Sequence, residues 1–129
     1  MIRFDVLTLF PAMFEAVLGD SIIRRAREKG LLEMHFINIR DFSKNKHRKV
    51  DDYPYSGGGG MLMAPQPIYD AYQSIVSGLD YKPLTIYLSP QGKVFRQQTA
   101  IELSKERHIV LLCGHYEGVD QRILDKIVD

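Results

Sequence analysis

Two short turns carry the residue types best suited to hold a small molecule. Ser89-Pro90-Gln91-Gly92 follows the apolar run Leu84-Thr85-Ile86-Tyr87-Leu88. Gly114-His115-Tyr116-Glu117-Gly118-Val119-Asp120 follows a second run, His108-Ile109-Val110-Leu111-Leu112-Cys113. Neither turn has the G-x-G-x-x-G of a dinucleotide fold or the G-x-x-x-x-G-K-[ST] of a phosphate loop. No Lys or Arg lies between positions 114 and 120, so a polyphosphate would find no counter-charge there. Small residues, exposed backbone amides, Tyr116 and the carboxylates of Glu117 and Asp120 instead suit a flat, neutral heterocycle. The same ligand would carry a hydrogen-bond donor or a positive charge. A lone Gly-x-x-x-Gly more often does no more than shape a turn with its acid in solvent. By themselves the glycines leave both readings open.

A second stretch has a different chemistry. Arg40, Lys44, Lys46, Arg48 and Lys49 put five positive charges into ten residues, with His47 among them. Asp51-Asp52-Tyr53-Pro54-Tyr55, Ser56 and the glycines Gly57 to Gly60 follow at once. A charge run is usually a solvated face. Basic residues, aromatics and a flexible turn in succession also suit contacts to RNA phosphates and a splayed-out base. The glycines could be a plain joint, but Met61-Leu62-Met63 directly after them anchors the loop to the core and favours close approach to a ligand.

These residues need elements to position them. The runs 84–88 and 108–113 read as buried strands, and residues 97–107 between them as a helix, which makes a parallel pair with a right-handed crossover. Both strands then end at one edge of the sheet, where open α/β folds bind ligands. Upstream, residues 2–9 read as the first strand and 12–18 as a short helix. Ser21 is the expected cap of a helix over 22–29, and Gly30 its stop. Residues 31–39 read as another strand, in which His35 is a surface histidine rather than a metal ligand. Ile68, Ala71, Tyr72, Ile75 and Val76 recur at helical spacing after Pro65-Gln66-Pro67, an apolar stripe for core packing. A final helical pattern runs from Arg122 to Val128.

The 129 residues are 45% apolar and 26% charged with a net charge of +1, the make-up of one ordinary globular domain. No overall field draws the chain to nucleic acid, so any RNA contact must be local. Cys113, the only cysteine, has no partner and fits a reducing compartment. No apolar run is long enough to cross a membrane, and Arg3 and Asp5 interrupt the start in a way that argues against a signal peptide.

Taken together, Tyr87-Leu88-Ser89-Pro90-Gln91-Gly92 and Leu112-Cys113-Gly114-His115-Tyr116-Glu117-Gly118-Val119-Asp120 closely resemble the bacterial tRNA (guanine-37-N1)-methyltransferase family, TrmD. The resemblance extends to Leu9-Phe10-Pro11-x-Met13-Phe14, Arg40-Asp41-Phe42, His47-Arg48-x-Val50-Asp51-Asp52-x-Pro54-Tyr55 and Gly57 to Met63, and so covers almost the whole chain. Where the family often has proline within its glycine run, this chain has Gly57 to Gly60 unbroken.

The resemblance implies a mainly parallel α/β sheet with helices on both faces, the SPOUT-type trefoil-knot methyltransferase fold. Here the chain would be the N-terminal part of that domain, ending before the knot is completed and without a C-terminal tRNA-binding domain. It implies methyl transfer from S-adenosylmethionine to N1 of guanosine 37 of tRNA, with magnesium assisting, in a cytoplasmic homodimer. Tyr87, Leu88, Ser89, Pro90, Gly114, Tyr116, Glu117 and Gly118 would line the cofactor site. Glu117 would support catalysis as a hydrogen-bond acceptor, the general base being expected beyond Asp129. Arg48, Asp51, Asp52, Tyr55, Gly59 and Gly60 would meet the tRNA. The rival readings are a non-catalytic RNA-binding α/β module and an unrelated α/β enzyme that binds a nucleotide at the same edge.

Overall fold

A computed structural model of the chain describes residues 1–52, 61–115 and 118–129. The order of elements is β1 (Ile2–Thr8), α1 (Pro11–Leu18), α2 (Ser21–Glu28), β2 (Leu32–Asn38), a 3-10 turn (Ile39–Phe42), β3 (Asp51–Asp52), β4 (Leu62–Met63), α3 (Pro65–Val76), β5 (Leu84–Leu88), α4 (Gln97–Leu103), β6 (His108–Cys113) and α5 (Gln121–Ile127). Four of the strands form one sheet in the order β2-β1-β6-β5, and every pairing in it is parallel. The expected β5–α4–β6 crossover is therefore present, and β1 has been inserted between β6 and β2.

Alternation along the strands decides which face each helix covers. Leu7 pairs in register with Leu112, and both point to the face where α3 and α5 lie. There Ile68, Ala71, Tyr72 and Ile75, the stripe expected from the spacing, pack with Ile123 and Ile127 of α5 into one core. Ile68 is fully buried, and such a side chain contributes about 2 kcal/mol on leaving water. The opposite face carries Phe4, Ile86, Ile109 and Leu111. Ala100 and Leu103 of α4 overhang it, leaving an apolar groove of 440 Å³. At the β2 side α1 and α2 close that face, with Phe14 stacked on Phe36 at 6.1 Å. Among the described residues no helix is long and apolar enough to cross a membrane.

Boundaries differ from the sequence expectation where side chains intervene. β1 stops at Thr8 rather than Leu9 because the Thr8 hydroxyl accepts from the Phe10 amide at 3.0 Å and turns the chain. Pro11 then occupies the first turn of α1, where a missing amide costs nothing. Asp20, not Ser21, caps α2: its carboxylate accepts from Ser21 N at 2.8 Å, and Ser21 sits at φ +57°. Gly30, at φ +71°, does end that helix, using a conformation that L side chains avoid. α4 ends at Leu103 instead of 107, because Ser104 turns its hydroxyl back onto Ile101 O and the next two amides close tight turns.

At the N-terminal edge of the sheet lies a buried polar cluster that no sequence pattern announced. His108 and Asp5 are each 1% exposed, and His108 Nε2 donates to Asp5 Oδ2 at 2.6 Å. Tyr81 OH meets His108 Nδ1 at 2.9 Å, Arg3 Nε donates to Asp5 Oδ2 at 2.9 Å, and the Arg107 guanidinium lies 3.6 Å over the Tyr81 ring. Every ring nitrogen and the carboxylate are satisfied, as buried polar groups must be.

Candidate functional site

Because the strands are parallel, β5 and β6 deliver Leu88 and Cys113 to the same edge, and their turns face each other there. Tyr87, Leu88, Ser89, Pro90, Gly114 and Gly118 all border one cavity of 370 Å³. Of the remaining residues assigned to this site, Tyr116 and Glu117 lie outside the described residues. Six further residues line the cavity: Gln91, His115 and Val119 from the two candidate turns themselves, and Leu62, Gln121 and Leu124 from outside them, which the sequence did not single out for this site. Leu124 stands in the sequence only as part of a helical pattern, and Leu62 reaches the cavity from a strand too short to show periodicity.

Two glycines are needed here for different reasons. A Cβ on Gly114 would sit 3.1 Å from both Cε1 and the hydroxyl of Tyr87, so the Tyr87 side chain occupies the space a larger residue would need. Gly118 has open space, with Leu62 Cδ2 at 3.8 Å, but its φ of +142° is closed to other residues without strain. The described lining contains hydroxyl, amide, imidazole and aliphatic groups and no Lys or Arg. Burial pushes the Cys113 thiol up to about 11, so no thiolate nucleophile is offered at neutral pH. Asp120, the described acid nearest the turn, has its carboxyl held below the usual range by hydrogen bonds from the Arg122 side chain, at 2.6 and 2.9 Å. It also caps α5 by accepting from Arg122 N at 2.9 Å. That makes it a helix cap and a poor proton acceptor. Among the described residues no cluster of His, Cys, Asp and Glu could hold a metal ion.

The basic stretch is more structured than a surface loop. Its first residues form the 3-10 turn, started by Asn38 Oδ1 accepting from Arg40 N at 3.0 Å. Ser43 Oγ then donates to Lys49 O, Arg40 Nη1 to Arg48 O at 3.1 Å, and Lys44 N to Gln66 Oε1 at 3.2 Å. Arg48 stands at φ +56°, with its guanidinium on the Asp41 carboxylate. Val50 is 1% exposed and pins the end of the stretch to the core. Of the residues assigned to substrate, Arg48 and Asp52 are exposed and Asp51 is half-buried. Tyr55, Gly59 and Gly60 lie outside the described residues.

One seam joins this stretch to the cavity. Asp51 and Asp52 pair antiparallel with Met63 and Leu62, and Met63, fully buried, bridges to Val119. Met63 N donates to Gly118 O at 2.9 Å, Asp120 N to Met63 O at 3.1 Å, and Ala64 N to Val50 O at 2.8 Å. The β3–β4 ribbon thus holds the basic stretch on one side and the glycine turn on the other.

Comparison with known proteins agrees with this arrangement. The family model described as tRNA (Guanine-1)-methyltransferase TrmD matches residues 2–129. A tRNA (guanine-N(1)-)-methyltransferase of Ruminiclostridium cellulolyticum is 58% identical over 127 residues, covering 98% of this chain and 54% of that protein. Its counterpart from Clostridioides difficile is 55% identical over 127 residues, covering 98% of this chain and 55% of that protein. The crystal structure of tRNA (m1G37) methyltransferase from Aquifex aeolicus superposes with a TM-score of 0.89 at 41% identity, covering 99% of this chain and 57% of that one. The chain spans about half the length of the curated relatives it matches. With the motifs in order along the whole sequence and the same fold beneath them, the chain belongs to the tRNA (guanine-1)-methyltransferase TrmD family.

Proposed function

We propose that this chain carries the S-adenosylmethionine pocket and an RNA-facing segment of a methyltransferase that modifies N1 of guanosine 37 in tRNA. One observation carries the reading: in a chain of this family, the turns after two neighbouring parallel strands converge on a cavity whose described lining holds no Lys or Arg. The donor set fits the cofactor. Leu62, Leu88 and Leu124 offer apolar surface to a purine, while Ser89, Gln91, Gln121 and backbone groups offer hydrogen bonds to a ribose and an amino-acid tail. A nucleoside triphosphate would lack a cation to meet it. When bound, S-adenosylmethionine supplies a methyl group on a sulfonium, so no covalent enzyme intermediate is needed.

What the protein must add is position and a change of protonation. Guanine N1 holds its proton at neutral pH, and a carboxylate within hydrogen-bond reach is the natural acceptor. Asp120 is committed to Arg122, and Glu117 takes a supporting part as acceptor toward the guanine edge or the ammonium of the methyl donor, not the part of the base. Tyr87, Leu88, Ser89, Pro90, Gly114, Tyr116 and Gly118 hold the cofactor. Arg48, Asp51, Asp52, Tyr55, Gly59 and Gly60 meet the RNA. The same reading carries a homodimer, a cytoplasmic location and magnesium assisting the reaction.

Calorimetric titration tests it with three ligands. S-adenosylmethionine and its demethylated product should bind, and ATP should not. Equal binding of ATP would favour the nucleotide-enzyme reading. RNA binding with no response to either adenosyl compound would favour the RNA-binding module.

A further inference from the structure

Arg48 is unusual in two ways at once. It is a non-glycine residue in the left-handed region, at φ +56°, and its guanidinium is already engaged by the carboxylate of Asp41, the third residue of the 3-10 turn. The backbone around it is tied down. Its amide donates to Asn45 O at 2.9 Å, and its carbonyl accepts from Arg40 Nη1 at 3.1 Å. His47 N is held by Asn45 Oδ1 at 2.8 Å, and Gln66 Nε2 reaches Phe42 O at 2.7 Å. Only the outer end of the Arg48 side chain can change partner without undoing the segment.

That partner is easily exchanged. The Arg48 and Asp41 side chains are 56% and 59% exposed, and ion pairs in such solvent contact are weak. A carboxylate and a phosphate monoanion present the guanidinium with similar pairs of oxygen acceptors. Lys44, Lys46, His47 and Lys49 are exposed in the same segment, and of these Lys44 lies 3.9 Å from Asp70. A polyanion approaching this segment would meet a positive field with Asp41 as its rival for Arg48.

We propose that Asp41 is an internal stand-in for an RNA phosphate, holding Arg48 in a binding geometry until a backbone phosphate of the substrate takes its place. This rests on the RNA-facing reading of the segment. The left-handed backbone fixes where the guanidinium emerges, and the carboxylate keeps it from collecting arbitrary anions. RNA that offers a phosphate at that point replaces Asp41, whereas a polyanion of another shape pays for breaking the pair and gains less.

The test is a double-mutant cycle on the intact chain. The probe is a fluorescein-labelled RNA hairpin with a seven-nucleotide loop, titrated at low and moderate salt. Asp41→Asn removes the competing charge. Arg48→Gly removes the guanidinium while remaining at ease at positive φ, so the segment keeps its shape. Asp41→Asn should tighten hairpin binding by about two- to fivefold, the order of a surface ion pair, and should do nothing in the Arg48→Gly background. Arg48→Gly alone should weaken binding and lower the salt slope by about one. Equal tightening in both backgrounds would make Asp41 a simple repelling charge and overturn the proposal. Weakening by Arg48→Gly with no effect of Asp41→Asn would overturn it too, while leaving the RNA-facing reading intact. If neither substitution alters binding, or the unaltered chain does not bind the hairpin, both ideas fall.

Discussion

The two ends of the parallel sheet treat polar groups in opposite ways. At the N-terminal end, His108, Asp5, Tyr81 and Arg3 are packed into a closed cluster in which each group has its partner. At the C-terminal end, glycine turns and, among the described residues, side chains without Lys, Arg, Asp or Glu border an open cavity. The closed end holds β1 against β6, and the open end is left free to receive something. In a sheet whose strands all point one way, locking and binding can thus be kept at opposite edges, so either can be altered without the other.

The largest effect should come from breaking the closed end. His108→Ala leaves the Asp5 carboxylate buried with Arg3 as its remaining partner, and loss of one member of a buried pair costs about 3–5 kcal/mol. Urea denaturation should show this loss, while cofactor affinity of the folded fraction stays level. A parallel fall in affinity would mean the two edges are not independent. Tyr81→Phe, which removes one hydrogen bond, should cost only ~1 kcal/mol.

The complementary change acts on the open end. Gly114→Val pushes its side chain into Tyr87, so binding of S-adenosylhomocysteine should fall by about tenfold or more, ~1.4 kcal/mol. Stability should fall by ~1 kcal/mol, the scale of a tolerable overpacking. Unchanged affinity in a folded variant would remove Gly114 and Tyr87 from the cofactor site.

The smallest effect belongs to the acid that joins the turn to α5. Asp120→Asn keeps a cap but loses the Arg122 pair, so at neutral pH stability should drop by under ~1 kcal/mol. The Asp120 carboxyl titrates lower in the folded chain than in the unfolded one. Its contribution is therefore complete above the ordinary carboxylate range and is lost as pH falls through the depressed folded value. The difference between wild type and Asp120→Asn should vanish in acid. A difference that persists there would point to the amide disturbing α5 itself.

Local patterns were legible in the sequence, and pairings across the chain were not. The stripe Ile68, Ala71, Tyr72 and Ile75 and the runs 84–88 and 108–113 carry their structure in their own spacing, and all appear as expected. The sequence also placed both turns at one edge, since parallel strands leave no other choice. His108 read simply as the first residue of an apolar run. Its role depends on Asp5, 103 positions away, and no periodicity encodes such a partner. The β3–β4 ribbon was missed because two residues are too few to alternate, and its pairing is fixed by Met63 entering the core. The Asp41–Arg48 pair was hidden for a similar reason: a run of positive charge says nothing about which charge is answered.

The Met63 seam implies a thermodynamic linkage between the two ligands. Its backbone ties Gly118 on one side and, through Asp51 and Ala64, the basic stretch on the other. A ligand held at Gly118 and RNA held at the basic stretch therefore bear on one hydrogen-bonded ribbon. Each ligand should then raise the affinity for the other by one common factor of a few-fold, since such coupling is reciprocal. Hairpin titrations with and without saturating S-adenosylhomocysteine measure that factor directly, and a value of one would show that the seam carries no message.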